Sequence, residues 1–419
     1  MTGRGLASPP RGQDHGYVYP LAVNTLGPAE LDAAFNVLAS GRFTMGARVR
    51  EFEEAFADWI GSPYAVMVNS GSSANLLMVE AMLRGTSVDN PWLPGDEVLV
   101  PALAWPTTVW PLVQLGLTPV FTDVDPDTLA IDLASAESVI TDRTRGMVLI
   151  HVLGQAADME AIAEFNVAHG IQLLEDSCES LGAHAGGRHV GTIGQMGSFS
   201  FYFSHHLTTI EGGMIATATK GLRDDLRSMR SHGWARDRDD RQHWVDANPD
   251  IDPRFLFVGT GYNVRPMDLN AAIGLVQLKR LDGMLQRREK IAALMADWVS
   301  AIPWLRMYGS DRLDAPRLTK RPWREHSWMT LAFEVAADAP LETEQVVRHL
   351  EASGVETRPI VAGNLVRHPA MHDIRYRAAD SLATADRVLE QGFMIGCHPM
   401  TEPAELERLE ASFTQLASQ

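Results

Sequence analysis

Between Tyr64 and Ser177 short apolar runs alternate with segments of helical period, and no other feature constrains the fold as strongly. "YAVMVNS" precedes "SANLLMVEAMLRG", "DEVLVPA" precedes "TTVWPLVQLG", and "TPVFTDV" precedes "LASAESVI". "RGMVLIHV" then leads into "MEAIAEFNVAHG", and "IQLLEDS" follows. Apolar runs joined by helix-period segments predict parallel strands with crossover helices, an α/β fold with a mostly parallel, doubly wound sheet. Ligands in such folds bind beyond the carboxyl ends of the strands, so strand-end residues are the ones to inspect.

Two helices are expected before this region, in "LDAAFNVLAS" and "VREFEEAFADWIG". A long one continues from "MDLNAAIGLVQLKRLDGML" through "QRREKIAALMADWVSAI". From about Trp304 a strand-like "SWMTLAFEV" and helices in "TEQVVRHLEASG" and "AELERLEASFTQLA" describe a smaller α+β domain. The expected organisation is an arm at 1–24, a large domain at 25–285 and a small C-terminal domain, with the linking helix, at 286–419. The polar "RDRDDRQHWVDANPDIDPR" is expected to be an exposed loop.

A formal charge of -17 over 419 residues argues against nucleic acid or an anionic membrane as partner, because both need a positive field. Cys178 and Cys397 are the only cysteines, too few for a structural zinc or an ordinary iron–sulfur cluster, and no metal site is expected. "MTGRGLASPPRGQDHGY" has no apolar signal core and no membrane-length apolar run follows, so reduced thiols in a cytoplasmic enzyme are expected.

Four short motifs carry chemistry. "VNSGSSANLL" ends a strand in Gly71, Ser72 and Ser73 and starts a helix at once, which makes either an anion site or an ordinary N-cap. "LLEDSCESLGA" puts Glu175 and Asp176 at a strand end, where a carboxylate can hold a protonated heterocyclic nitrogen or cap a helix. "PALAWP" puts Trp105 after another strand, as a stacking platform or a packing residue. "GYNVRP" carries Asn263 in a glycine-flanked turn. Each has an ordinary structural explanation when taken alone.

In their order, and with "FSFYFSHHLTTIEGG", "PGDEVLVPA" and "TRPIVAGN", they resemble the sugar aminotransferase family named after DegT, DnrJ, EryC and StrS, from about Ala22 to Glu407. The resemblance implies a fold-type I pyridoxal-phosphate enzyme. It assigns the phosphate to Gly71, Ser72, Ser73 and Ser200, ring stacking to Trp105 and the ring nitrogen to Asp176. Glu179 is placed beside the ring. Asn263 is assigned to the phosphate of the partner subunit's site, so a homodimer with shared active sites is implied. Arg358 is a candidate for the carboxylate of an amino donor, with an interdomain ion pair as the alternative.

Where that family has a cofactor-holding lysine, this chain has His205. Imidazole cannot make the covalent linkage, which needs a primary amine, and no lysine precedes Lys220. Histidine does keep the capacity to move a proton near neutral pH. With "NSGSSANLL", "RSHGWARD" and "RPIVAGN", the "HH" pair resembles the nucleotide-sugar 3-dehydratase branch, and the stretch after "RD" has no cysteine for a cluster. The resemblance implies non-covalent pyridoxamine phosphate or pyridoxal phosphate, no iron–sulfur cluster, and loss of the 3-hydroxyl from a nucleotide-linked 4-keto-6-deoxyhexose. L-glutamate would restore the cofactor. An aminotransferase, or a repurposed member acting on a substrate that is not a nucleotide sugar, is the alternative. His206 is expected to orient the loop near substrate, and His232 to face substrate or serve structure.

Overall fold

The computed structural model describes residues 16–313 and 324–419. Lys320 and most of the expected arm lie outside the described residues. Helices α1 (Pro28–Ser40) and α2 (Ala47–Ile60) lead into strand β1 (Tyr64–Val68). The expected alternation follows: α3 (Gly71–Arg84), β2 (Glu97–Pro101), α4 (Pro106–Gln114), β3 (Thr118–Thr122), α5 (Leu133–Val139), β4 (Thr144–Ile150), α6 (Met159–His169) and β5 (Gln172–Asp176). A small hairpin, β6 (His184–Ala185) and β7 (Arg188–His189), comes before β8 (Met196–Ser200) and β9 (Gly213–Thr217).

Among the described residues eight strands form the main sheet in the order β1-β9-β8-β5-β4-β2-β3-β13, where β13 is Arg377–Ala378. All neighbours pair in parallel except at β9, which runs against both β1 and β8. Strand alternation sorts the side chains to two faces. Val66, Val68, Val98, Val100, Val148 and Ile150 bury against the layer containing α3 and α4. On the opposite face Ala65 and Met67 meet α2, while Leu99, Met147 and Leu149 meet α5 and α6.

Helix α7 (Lys220–Met229) follows the main sheet's last hairpin, and α8 is Arg241–Ala247. This second segment lies inside the polar stretch expected to be a loop. It is exposed as expected, but helical. Buried Arg238 anchors it, bonding Asp225 at 2.7 Å and Asp240 at 2.7 and 2.8 Å, while the Trp244 indole donates to Asp240. Local ion pairs order a segment whose composition alone reads as solvated coil.

The long helix α9 (Asp268–Val299) contributes Ala271, Leu278 and Leu281 to the core under β1 and β8. Its second half contributes Ile291, Met295 and Val299 to a separate core around an antiparallel sheet. That sheet has the order β10-β11-β14-β12, from Leu305–Met307, Thr330–Val335, Gly392–Gly396 and Thr357–Arg358. A boundary between 285 and 286 therefore falls inside a continuous helix. The C-terminal part also returns to the main body, through β13 and through Leu382, Ala385 and Val388. Among the described residues no helix is long and apolar enough to cross a membrane.

The beginning of the chain is built in rather than loose from Val18 onward. The Val18 and Tyr19 amides donate to Gly354 O, the Glu356 amide donates to Tyr19 O, and the buried Tyr19 hydroxyl donates to Gly396 O. Beyond Pro20, residues Leu21, Ala22 and Val23 reach the main cavity.

Gly274 sets the approach of α2 to α9, since a Cβ there would lie 2.6 Å from the Phe52 ring. Phe52 is fully buried against Phe56 and Phe201 and has nowhere to retreat. Gly274→Ala is expected to cost about 1–3 kcal/mol by overpacking, measured as a lower denaturant midpoint at unchanged slope.

Candidate active site

The parallel strands end on one side of the sheet, and a cavity of about 500 Å³ opens there. It is large enough for a cofactor and part of a substrate. Each wall comes from a chain reversal that a strand end imposes.

Past β1 the chain turns into α3, with Ser70 as N-cap. The Ser70 hydroxyl accepts from the Ser73 amide at 3.1 Å and donates to the Ser73 hydroxyl at 3.0 Å. Helix geometry leaves the Gly71 and Ser72 amides without acceptors in the helix, and both residues line the cavity, so the helix start presents donors to an anion. Ser73 is engaged with Ser70 instead of lining the cavity. A Cβ on Gly71 would stand 2.6 Å from that of Ser200, so glycine lets the end of β8 bring the Ser200 hydroxyl beside these amides.

The second glycine of "EGG" serves the same approach. A Cβ on Gly213 would meet Ser70 O at 2.3 Å and Gly71 N at 2.7 Å. Gly213→Ala must displace the start of α3, and we expect a cofactor dissociation constant raised about tenfold or more. Titration of the apo-protein with pyridoxamine phosphate checks this, with circular dichroism to show that the fold is kept.

At the end of β5 alternation sends adjacent carboxylates to opposite faces. Glu175 is buried, 3.0 Å from the His151 ring, and accepts the amides of Gly191, Ile193 and Gly194. Asp176 faces the cavity and accepts from Asn75 Nδ2 and Thr108 Oγ1, both at 2.7 Å, and from the Cys178 amide at 3.1 Å. Trp105, the residue before α4, leaves its side chain on the cavity wall at 54% exposure, which places it outside the core. Core packing was the alternative the sequence left for it.

Glu179 lines the cavity with one oxygen accepting the Leu153 amide at 2.8 Å. Burial pushes its carboxyl up to about 7; the Leu153 bond opposes this and the Asp176 charge adds to it. His205 also lines the cavity, and its Nδ1 is buried without a partner. Desolvation lowers the imidazole to about 4, helped by the Arg288 charge and opposed by Asp176. The site thus holds a neutral imidazole and a protonated carboxyl together near pH 6.

The unfolded chain releases the Glu179 proton near the ordinary 4.5, while the folded site keeps it to about 7. Its contribution to stability is therefore full below 4.5 and is lost as pH rises through about 7. Glu179→Gln is expected to remove this component, so that wild type minus variant declines across that window in apo-protein denaturation series at several pH values.

The other expected site residues lie apart from this cavity. His206 is buried with Nε2 3.0 Å from Ser327 O, so it braces the loop from behind and does not face a ligand. His232 is exposed at a positive φ of 64°, its amide donating to Tyr262 O. Asn263 is exposed and accepts from Arg265 Nε at 2.9 Å. Arg358 pairs with Glu356 at 2.5 Å and does not line the cavity. Sequence reasoning missed Asn75, Thr108 and Arg288. Asn75 lies one turn beyond Gly71 on the same helix, which was its available signal.

These residues suit a phosphorylated pyridine: unpaired helix-start amides and Ser200 for the phosphate, a strand-end carboxylate for the ring nitrogen, and an indole for its face. They suit a pyridoxal-phosphate site of the aminotransferase class, with no lysine among the described residues that line the cavity. Residues 24–414 match the DegT/DnrJ/EryC1/StrS aminotransferase family, and the chain belongs to it. It is 36% identical over 395 residues to GDP-4-keto-6-deoxy-D-mannose 3-dehydratase of Yersinia pseudotuberculosis, covering 93% of this chain and 97% of that one. A solved E. coli GDP-4-keto-6-deoxy-D-mannose 3-dehydratase with bound hydrated PLP superposes with a TM-score of 0.86 at 35% identity, covering 95% and 99%. A third relative, a GDP-4-keto-6-deoxymannose 3-dehydratase with a trapped PLP-glutamate geminal diamine, gives 0.82 at 34% identity, covering 94% and 100%.

Proposed function

We propose that this protein removes the 3-hydroxyl of a nucleotide-linked 4-keto-6-deoxyhexose, with GDP-4-keto-6-deoxy-D-mannose as the best-supported substrate. Its pyridoxamine phosphate is held non-covalently and restored from pyridoxal phosphate by L-glutamate. The observation that carries this reading is His205, a neutral imidazole on the cavity wall where the family has a lysine. The two relatives solved with PLP or its glutamate adduct support the cofactor and the donor. We further infer a cytoplasmic homodimer in which exposed Asn263 completes the phosphate site of the second subunit.

When bound, the cofactor supplies an amine that condenses with a keto group and a ring that withdraws electrons from the neighbouring carbon. Ser72, Ser200 and the start of α3 fix its phosphate. Asp176, immobilised by Asn75 and Thr108, accepts a hydrogen bond from the ring nitrogen and keeps it protonated. Trp105 covers one face. With the cofactor bound, His205 would be the group placed to take a proton from the carbon beside the ring and, once protonated, to give one to the departing hydroxyl oxygen. An imidazole is not a primary amine and no lysine is among the described lining residues, so His205 would move protons without holding the cofactor covalently.

His205→Asn is expected to lower water loss from GDP-4-keto-6-deoxy-D-mannose by about 10² or more, followed by product mass with pyridoxamine phosphate and glutamate. His205→Lys is expected to tether the cofactor, seen as a mass increase after borohydride reduction, and to suppress dehydration. Undiminished water loss in either variant contradicts the role given to His205. An amino sugar formed with stoichiometric glutamate consumption by the wild type would establish amination instead.

A further inference from the structure

The cavity is acidic for a site that must admit anionic ligands: Asp176, Glu179 and Glu211 all line it. Among the described lining residues Arg288 alone carries a guanidinium or an ammonium group. It projects from α9 and is almost fully buried. Its Nη1 donates to Trp328 O at 3.1 Å, to Met329 O at 2.9 Å and to Cys397 O. These carbonyls flank the starting end of β11 and the finishing end of β14, so the small sheet fixes the guanidinium from behind.

The rest of the group has no partner among the described residues. Nε is buried with no acceptor, none of the described residues accepts from Nη2, and Arg288 forms no ion pair among the described residues. Burying an uncompensated charge is expensive unless a ligand completes it. Nε and Nη2 form the edge of the guanidinium that grips a carboxylate with two parallel hydrogen bonds. Arg358, the other arginine considered for this role, is already paired with Glu356 and lies off the cavity.

We propose that Arg288 binds a carboxylate of the amino-acid donor in the half-reaction that restores the amine form of the cofactor. The inference rests on the reading of the protein as a glutamate-recharged enzyme, and it names a residue that would hold the donor by one carboxylate. The helix start and the serines bind phosphate on one side of the cavity, and Arg288 receives the donor's carboxylate on the small-sheet side.

Glutarate, a dicarboxylate with no amine to react, is the probe for the pyridoxal-phosphate holoenzyme. Calorimetry should show glutarate binding to wild type, at least about tenfold tighter than uncharged glutaramide, and that preference should vanish in Arg288→Gln. Glutamate half-saturation in the re-amination half-reaction, followed by the cofactor's absorbance, should rise about tenfold or more in Arg288→Gln and several-fold in Arg288→Lys, whose point charge lacks the two-pronged edge. Glutarate affinity in Arg358→Ala should equal that of wild type. The proposal is overturned if wild type does not prefer glutarate to glutaramide, if Arg288→Gln keeps the wild-type half-saturation, or if Arg358→Ala alone abolishes glutarate binding. Should Arg288→Gln fail to fold, the wild-type titration and Arg288→Lys decide. A wild type that binds glutarate through Arg288 yet removes no water from the sugar would refute the proposed function and leave this inference standing.

Discussion

The carboxylate of Asp176 is gripped before any ligand arrives, and the geometry of the cavity follows from that grip. Asn75 reaches it from α3, Thr108 from α4 and the Cys178 amide from the turn after β5. Ser198 on β8 in turn donates to Asn75 Oδ1 at 2.6 Å. Two helices and two strands are thus referenced to one pair of oxygens. Those elements carry the other pieces of the site: the anion cradle on α3, the indole ahead of α4, and Ser200 at the end of β8. A group oriented this way needs no reorganisation when charge develops on a bound ring.

Burial then divides the titratable groups by role. Desolvation acts in opposite directions on a base and an acid, raising Glu179 and lowering His205. Arg288 adds to the second effect, so the cation suited to receive a carboxylate also keeps the nearby imidazole free of a proton. One charge on α9 thus keeps the imidazole in its neutral, proton-accepting form while making it a weaker base.

The architecture was largely readable because strand and helix periods differ, and the alternation through "IQLLEDS" repeats the same unit until it is unmistakable. The site was readable where a motif sits at a strand end, as with Gly71, Asp176 and Ser200. Where function depends on which way a side chain turns, residue type left the choice open and the resemblance to the family made it. Glu175 and Asp176 are chemically similar neighbours, and only the pleat sends one to His151 and the other to the cavity. His205 and His206 are identical in kind, and only the loop separates an imidazole on the cavity wall from one bonded to Ser327. Arg288 gave no signal, because an arginine in a long helix rich in charges reads as solvated until the second sheet folds over it. The helix α8 was hidden for a related reason: its order comes from the buried ion pairs of Arg238.

Helix α9 runs for 32 residues without a break, about 48 Å at the usual rise, and each half is embedded in a different core. A joint between the two sheets would have to interrupt its hydrogen-bond ladder. Both cores are therefore strung on one continuous beam, and the cavity is roofed by the small sheet and floored by the strand ends of the large one.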